Sequence, residues 1–592
     1  MLPPAPALDA TTTPSGFLLV LSIAIPIAGV LLAFVLGDRY VRLVAFAMVP
    51  LGLAIAVTIL AAVPHGTGPL VYLLGAWPPP LGVALRADGL SAVMLAATAV
   101  VISAVAVYAG AEFSVTTTKA RAPFAFWILL LAVWAALNAI FVGGDLFTLY
   151  VALELLTFAA VPLVSLDGRP ETLRAAIRYL LFALLGSVLY LLGTALLYGL
   201  HATLDIVLLS HRIGAEPASL VAAALMTTGL LAKTALFPLH LWLPPAHAGA
   251  PAAASAILSG LVVKGSFFII VRLWFQVMPG LPGFAATQLL AALGAAAIVF
   301  GSVLALRQER LKLLIAYSTL AQIGYLFLMF PLAFNGSGHL ESGGALAGGL
   351  LQAGSHATAK AAMFMAAGSI YAGLGHDRIT GLGGIARVLP LSVLTFAFAG
   401  IALIGVQPSG ASLAKDLLLQ AATERQQWWW VVVLQAGGVF TAAYVLLVLA
   451  HALAPPDKPV VLTGPAPRLR NVAALVLALC SLLLGLVPWE PYLPVPYISP
   501  PDLYGLETLS KSLLPVLGGV VLVILLSPWP HPFASSVRWK VAIGVLNRFR
   551  QGCCAFSSYV ERGNGVLCEW PAASTCLLML ALLFSVLMLV AA

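Results

Sequence analysis

The sequence predicts an all-α polytopic membrane protein, and three observations carry that prediction. Of its 592 residues 61% are hydrophobic and only 8% are charged, against about 25% charged in soluble domains. Its mean hydropathy is +1.05, so lipid rather than water must solvate most of the chain. Sixteen apolar stretches follow one another along it, each near the roughly 20 residues that a bilayer crossing requires. They lie near 15–36, 41–63, 88–110, 122–143, 145–165, 172–200, 219–242, 251–278, 285–306, 312–333, 345–374, 391–423, 428–453, 471–489, 509–527 and 572–592.

Basic residues orient these spans. With the N-terminus outside, twenty of the 29 Lys and Arg fall on the inner side, Lys119, Arg121 and Lys458 among them, and five fall on the outer side. A bias of that size obeys the positive-inside rule, and a missed span would have reversed every later loop. The net charge of +8 therefore belongs to topology. There is no basic run interleaved with aromatics, so no nucleic-acid partner is expected.

The N-terminal residues lack the basic start of a cleavable signal, so the first stretch is expected to remain as a span. Cys480, Cys553, Cys554, Cys568 and Cys576 form no CxxC pair and read as small apolar filler. Four segments follow from the span order. Residues 1–121 hold spans one to three, 122–278 spans four to eight, 285–453 spans nine to thirteen, and 471–592 the C-terminal spans.

The four remaining basic residues are Lys233, Lys264, Lys360 and Lys415, and all fall inside spans. Glu154 does too, Asp145 lies at the outer end of that same span, and Asp416 adjoins Lys415. Each such charge costs roughly 2.5–3.5 kcal/mol at a helix centre. Together the lysines and the glutamate would cost on the order of 10 kcal/mol unless paired or hydrated. A chain that only had to sit in lipid would carry leucine there, so these residues are expected to line an ion route.

The chemistry suits that purpose. Desolvation disfavours the charged form of a side chain, and a nearby opposite charge restores it. A buried Glu/Lys pair of adjustable separation is therefore a proton switch. Glu154, Lys233, Lys264, His356, Lys360 and Lys415 are the candidate steps.

Two spans carry breaks. KTALFPLHLWLPPAH, from Lys233 to His247, holds Pro238, Pro244 and Pro245. GVQPSGASLAKD, from Gly405 to Asp416, holds Pro408 and Gly410. Proline removes a backbone donor, and freed carbonyls are tolerated at membrane depth only where protein or water satisfies them. Paired interrupted helices in two halves of a transporter point to its binding site. The two breaks are five spans apart, and an odd repeat length would invert the copies. One detail fits poorly: Pro238 follows its lysine, whereas Pro408 precedes its lysine.

At these residues the chain resembles the antiporter-like proton-translocating subunits shared by complex I, energy-converting membrane hydrogenases and Mrp-type sodium/proton antiporters. DLFTLYVALELL places Glu154 at the family's fifth-helix glutamate. KTALFPLHLWLPPAHAGAPAAASAILSGLVVKGSFFIIVR is the longest match. It sets Lys233 on the seventh helix and Lys264 on the eighth, with His240 and His247 in the broken segment. RLKLLIAYSTLAQIGY resembles the start of the tenth helix, HATAKAAMFMAAGSI supplies His356 and Lys360 of the eleventh, and GVQPSGASLAKD puts Lys415 on the twelfth.

The resemblance covers roughly residues 85 to 450. It implies a core of about fourteen helices with two inverted five-helix repeats, discontinuous helices seven and twelve, and a hydrated polar line through the membrane. Glu154 and Lys233 would be the switch pair. Lys264 and His356 would carry the ion along the axis, and Lys415, modulated by Asp416, would meet the far half-channel. Ala411 departs from a Phe common in the family and bears on packing rather than chemistry. About two further spans follow the core, with an amphipathic stretch near 535–562 suited to the inner membrane surface. The resemblance gives that extension a bracing role against a neighbour, beside the simpler reading of a solvated linker.

Translocation of protons or sodium ions is thus expected, as a subunit among other membrane subunits of a larger complex in a bacterial or archaeal plasma membrane. No GxGxxG, Walker loop, CxxC or haem motif is present, so no cofactor and no covalent chemistry are expected of this chain. A redox-driven translocase would draw its electrons through partners. A stand-alone or two-protein transporter, exchanging sodium for protons or driving inorganic-carbon uptake, would use the same line of charges. A non-pumping scaffold is the third reading, disfavoured by the presence of both Glu154 and Lys233.

Overall fold

A computed structural model describes residues 11–65, 68–113, 122–279, 281, 283–334, 342–456, 459–460, 462, 468–494, 506–526 and 537–591. Lys119, Arg121, Lys458 and the first two residues of the 535–562 stretch lie outside them. The helices are α1 (Phe17–Leu36), α2 (Asp38–Ala62), α3 (Gly89–Glu112), α4 (Ala122–Val142), α5 (Leu146–Val164) and α6 (Pro170–His201). Next come α7a (Pro217–Thr234), the short α7b (Leu243–Gly249), α8 (Ala252–Val277), α9 (Gly283–Arg307), α10 (Leu311–Ala333) and α11 (Gly343–Leu374). The chain continues through α12a (Pro390–Ile404), α12b (Gly410–Glu424), α13 (Trp428–Leu453), α14 (Arg468–Leu483), α15 (Leu506–Leu526), α16 (Val537–Leu567) and α17 (Trp570–Ala591). A two-stranded antiparallel hairpin, Leu70–Leu73 with Ala84–Ala87, joins α2 to α3.

All sixteen expected spans are helical, and two end or divide differently from the expectation. The span placed at 219–242 stops at Thr234, because Ala235 turns left-handed (φ 59°) and a non-helical segment with a cis Phe237–Pro238 peptide follows. The span placed at 391–423 divides at Gly405, which is also left-handed (φ 87°), and Gln407–Pro408 is cis. Ser409 then caps the second half through a hydrogen bond from Ser412 N–H. Lys233 therefore lies in the last turn of a first half-helix, whereas Lys415 lies in the second turn of a second one.

Sequence sets the other ends as well. Asp145 caps α5 by accepting from the backbone of Phe147 and Thr148 at 3.0 and 2.8 Å. Pro170, Pro217 and Pro390 start their helices, where the missing N–H costs nothing. Asp88 caps α3 and grips Arg272 of α8 at 2.5 and 2.7 Å. Asp88 also accepts from the Ser91 N–H at 2.9 Å and from the Gln276 amide at 3.0 Å.

Among the described residues, twelve helices are long and apolar enough to cross a bilayer. The buried share of their apolar windows falls from 100% in α8 and 89% in α10 to 28% in α1, so α8 and α10 form the centre and α1 an edge. Packing of α7a on α6 depends on glycine at one point. A Cβ on Gly229 would sit 2.2 Å from the Gly186 carbonyl oxygen. One turn on, the Lys233 stem runs beside Gly186.

Candidate functional site

The charged residues singled out in the sequence meet polar partners inside the bundle. Lys233, at the C-terminal end of α7a, donates to Glu154 Oε1 at 3.0 Å, to Thr157 Oγ1 at 2.9 Å and to the Leu153 carbonyl at 3.5 Å. Glu154 also accepts from Ser187 of α6, the residue after the close-packed Gly186. Lys233 is buried and Glu154 keeps a little exposure, 6% and 15% of their side chains. The pair thus has one member near the bundle edge. Trp242 covers the break by donating to the Ala232 carbonyl at 3.0 Å, which also accepts from the Ala235 N–H at 3.2 Å, and broken backbone at this depth needs such partners.

Thr234 donates to Ser266 at 2.9 Å, tying the residue after Lys233 to the helix that carries Lys264. A π turn at Leu258–Val262 immediately precedes Lys264. Such turns displace helical hydrogen bonds, and here the Lys264 ammonium curls back to the Ser259 carbonyl at 2.7 Å. Its other contact is His356 Nδ1 of α11, at 2.5 Å. Both residues are no more than 1% exposed.

Four residues further along α11, Lys360 donates to Ser318 of α10 at 2.5 Å and lies 5.9 Å from the centre of the Tyr444 ring. Lys360 makes no salt bridge among the described residues. One turn before His356, Gln352 donates to Gln322 of α10 at 2.9 Å. Gln322 donates to Thr441 and to the Tyr444 hydroxyl, both at 3.2 Å. Gln352 and Tyr325 also line a cavity of about 10 Å³ beside Lys415. A matching cavity of about 10 Å³ adjoins Lys233, lined by Thr157, Tyr179 and Ser266. Each is near the minimum volume for one water molecule.

Lys415 donates to the Ile404 carbonyl at 3.2 Å, at the C-terminal end of α12a. The partial negative charge there suits a cation. Asp416 is half-buried one residue on. His247 is buried and stacks on Phe364 at 4.7 Å. His240 is buried beside Phe237 and Phe300, and its Nε2 lies 3.1 Å from Asn564 Oδ1 of α16. Asp145, Pro238 and Pro408 sit at element ends, as cap and break residues.

The structure thus brings Glu154 to Lys233, Lys264 to His356, and Lys360 to within one turn of His356. It adds Thr157, Ser187, Ser318, Gln322, Gln352 and Tyr444, which the sequence reading did not name. One signal was available: Gln352, His356 and Lys360 recur every four residues, and so share a face of α11.

A bundle with two broken helices and buried lysines in sequence is the architecture of an antiporter-like ion-translocating membrane subunit. The comparisons agree. Residues 143–441 match the family described as NADH:quinone oxidoreductase/Mrp antiporter, TM, and the chain belongs to that family. It is 33% identical over 390 residues to an NADH-quinone oxidoreductase subunit from Desulforudis audaxviator, covering 65% of this chain and 75% of that protein. It is 28% identical over 441 residues to an Na(+)/H(+) antiporter subunit from Alkalihalophilus pseudofirmus, covering 74% and 86%. Among solved structures, a chain of the Mrp complex from Dietzia sp. DQ12-45-1b shares the fold, with TM-score 0.71 and 24% identity over 86% of this chain and 98% of that one. A chain of the membrane-bound sulfane sulfur reductase, an archaeal respiratory membrane complex, does so with TM-score 0.70 and 24% identity over 86% and 99%.

Proposed function

We propose that this chain translocates protons across a bacterial or archaeal plasma membrane as one subunit of a larger membrane complex. The carrying observation is the succession of three polar pairs, Glu154–Lys233, Lys264–His356 and Lys360–Ser318, running inward from near the bundle edge. The N-terminus faces outward, so the ends of α4, α6 and α10 that begin those helices face the cell interior. Residues 122–278 and 285–453 act as the two inverted repeats, each with one broken helix.

The switch is electrostatic. With Glu154 at 3.0 Å, the Lys233 ammonium is stabilised in a low-dielectric setting. Movement of Glu154 toward the bundle edge withdraws that support, and Lys233 gives up its proton toward Lys264. Lys264 passes it to His356 through their 2.5 Å contact. Lys360, the Gln352/Gln322/Tyr444 network and water lead on to Lys415. Each polar side chain offers a hydrogen-bond step across a gap that lipid could not bridge.

The relatives' setting in multisubunit complexes supports the assembly reading, and purification tests it. The complex recovered with a tag on this chain is expected to move protons in proteoliposomes at least about tenfold faster than the chain stripped of its partners. Equal rates from the isolated chain would instead make it a self-sufficient transporter. A strict sodium requirement would change the ion.

A further inference from the structure

The C-terminal extension does not extend away from the chain. Helix α17 packs on α7a of the first repeat and on α9 of the second, and α16 lies against α9. Glu561 of α16 pairs with Arg307 at the end of α9 at 3.2 Å. Trp570 meets Phe182 of α6 edge-on at 6.3 Å. The turn between α16 and α17 therefore straddles the seam between the two repeats, on the face where α7 breaks.

Asn564 projects from the last turn of α16 into the seam. Its Oδ1 lies 3.1 Å from His240 Nε2, in the broken segment of the first repeat. Its Nδ2 donates to the Tyr317 hydroxyl of α10, in the second repeat, at 3.1 Å. His240 is wholly buried and Tyr317 is 9% exposed, so neither contact is a surface accident. A histidine relays a proton only if its ring is held so that one nitrogen gives while the other takes. A carboxamide is a suitable anchor, because it fixes orientation without changing charge itself.

We propose that Asn564 is a positioning residue for the ion route: it holds His240 to Tyr317 across the seam, and so makes the C-terminal helices a working part of this chain's own inner half-channel. The proposal rests on the translocation reading above. It also gives the extension an intramolecular duty in place of the bracing role that the resemblance implied.

The test uses the assembled complex in inverted membrane vesicles, with ion movement normalised to the amount of inserted chain. Asn564→Leu keeps the branched side-chain shape and removes both hydrogen bonds, and is expected to slow ion movement roughly tenfold. Asn564→Asp keeps an acceptor toward Nε2 and is expected to stay within about threefold of wild type, a rescue that a packing role would not give. Tyr317→Phe is expected to cost about threefold alone and nothing further when combined with Asn564→Leu. Wild-type rates from Asn564→Leu, a faster passive leak, or multiplying effects in the double variant would each overturn the proposal. Should Asn564→Leu fail to insert, a wild-type rate from Tyr317→Phe overturns it equally. Lys233→Ala, run alongside, separates the two levels. If it too matches wild type, the translocation reading has failed rather than this one.

Discussion

Lys360→Met is expected to lower ion translocation about 100-fold while leaving the chain at least as stable as wild type. Lys360 is fully buried, and its contacts are a serine hydroxyl at 2.5 Å and the face of Tyr444 at 5.9 Å. Methionine has nearly the same length and can fill the same space. What it removes is the ammonium group, which makes no salt bridge among the described residues and is therefore costly to bury. The proposed route gives that charge a use that offsets the cost. The two readouts move in opposite directions, and that separates the transport account from a structural one. A structural lysine would give a lower melting temperature in detergent with transport preserved. The melting temperature and the vesicle rate should be measured on the same preparations.

The second large effect concerns Lys264 and His356. Lys264→Met and His356→Leu are each expected to reduce translocation about 100-fold, and the double variant is expected to be no slower than either single one. Nζ and Nδ1 stand 2.5 Å apart, so they act as one step. Groups that act as a unit give non-additive losses. Independent roles would multiply to about 10 000-fold. Rates for the four proteins, measured at equal insertion, complete the cycle. The Ser259 carbonyl is the remaining contact of Lys264. Lys264→Met leaves both the Ser259 carbonyl and His356 Nδ1 without this donor, a cost in stability of about 1–3 kcal/mol for each.

Much of this arrangement was legible in the sequence because charge is so scarce there. A glutamate and four lysines inside apolar runs stand out against the cost of burying them. Prolines next to two of those lysines marked the breaks for the same reason. The parts that escaped notice are cheap in sequence terms. Ser187 and Thr157 are ordinary membrane-helix residues, and only the geometry makes them ligands of Glu154 and Lys233. The Gln322–Gln352 bond spans thirty positions and needs α10 and α11 to be in register. The π turn ahead of Lys264 occupies LSGLV, which has no breaker residue to announce it. Asn564 is 324 residues from His240, just past the stretch whose composition indicated only an amphipathic surface helix.

The mismatch between the two prolines also has a physical reading. Lys233 lies in the last turn of α7a and Lys415 in the second turn of α12b, so the lysines lie on opposite sides of their breaks. Lys233 is held by a carboxylate from a neighbouring helix. Lys415 is held by the terminal carbonyl of its own helix's first half. The two broken helices thus support their lysines differently, one through a side chain and the other through backbone.

The central claim is that the Glu154–Lys233 pair switches ion movement. It is tested most directly in inverted vesicles holding wild type, Lys233→Ala and Glu154→Gln at equal expression, with and without sodium. The account predicts that both variants remain inserted and assembled, yet fall to the background rate, about 100-fold below wild type, whether or not sodium is present. Ion movement at the wild-type rate in either assembled variant would contradict it, and would make the buried pair a structural lock between α5 and α7a.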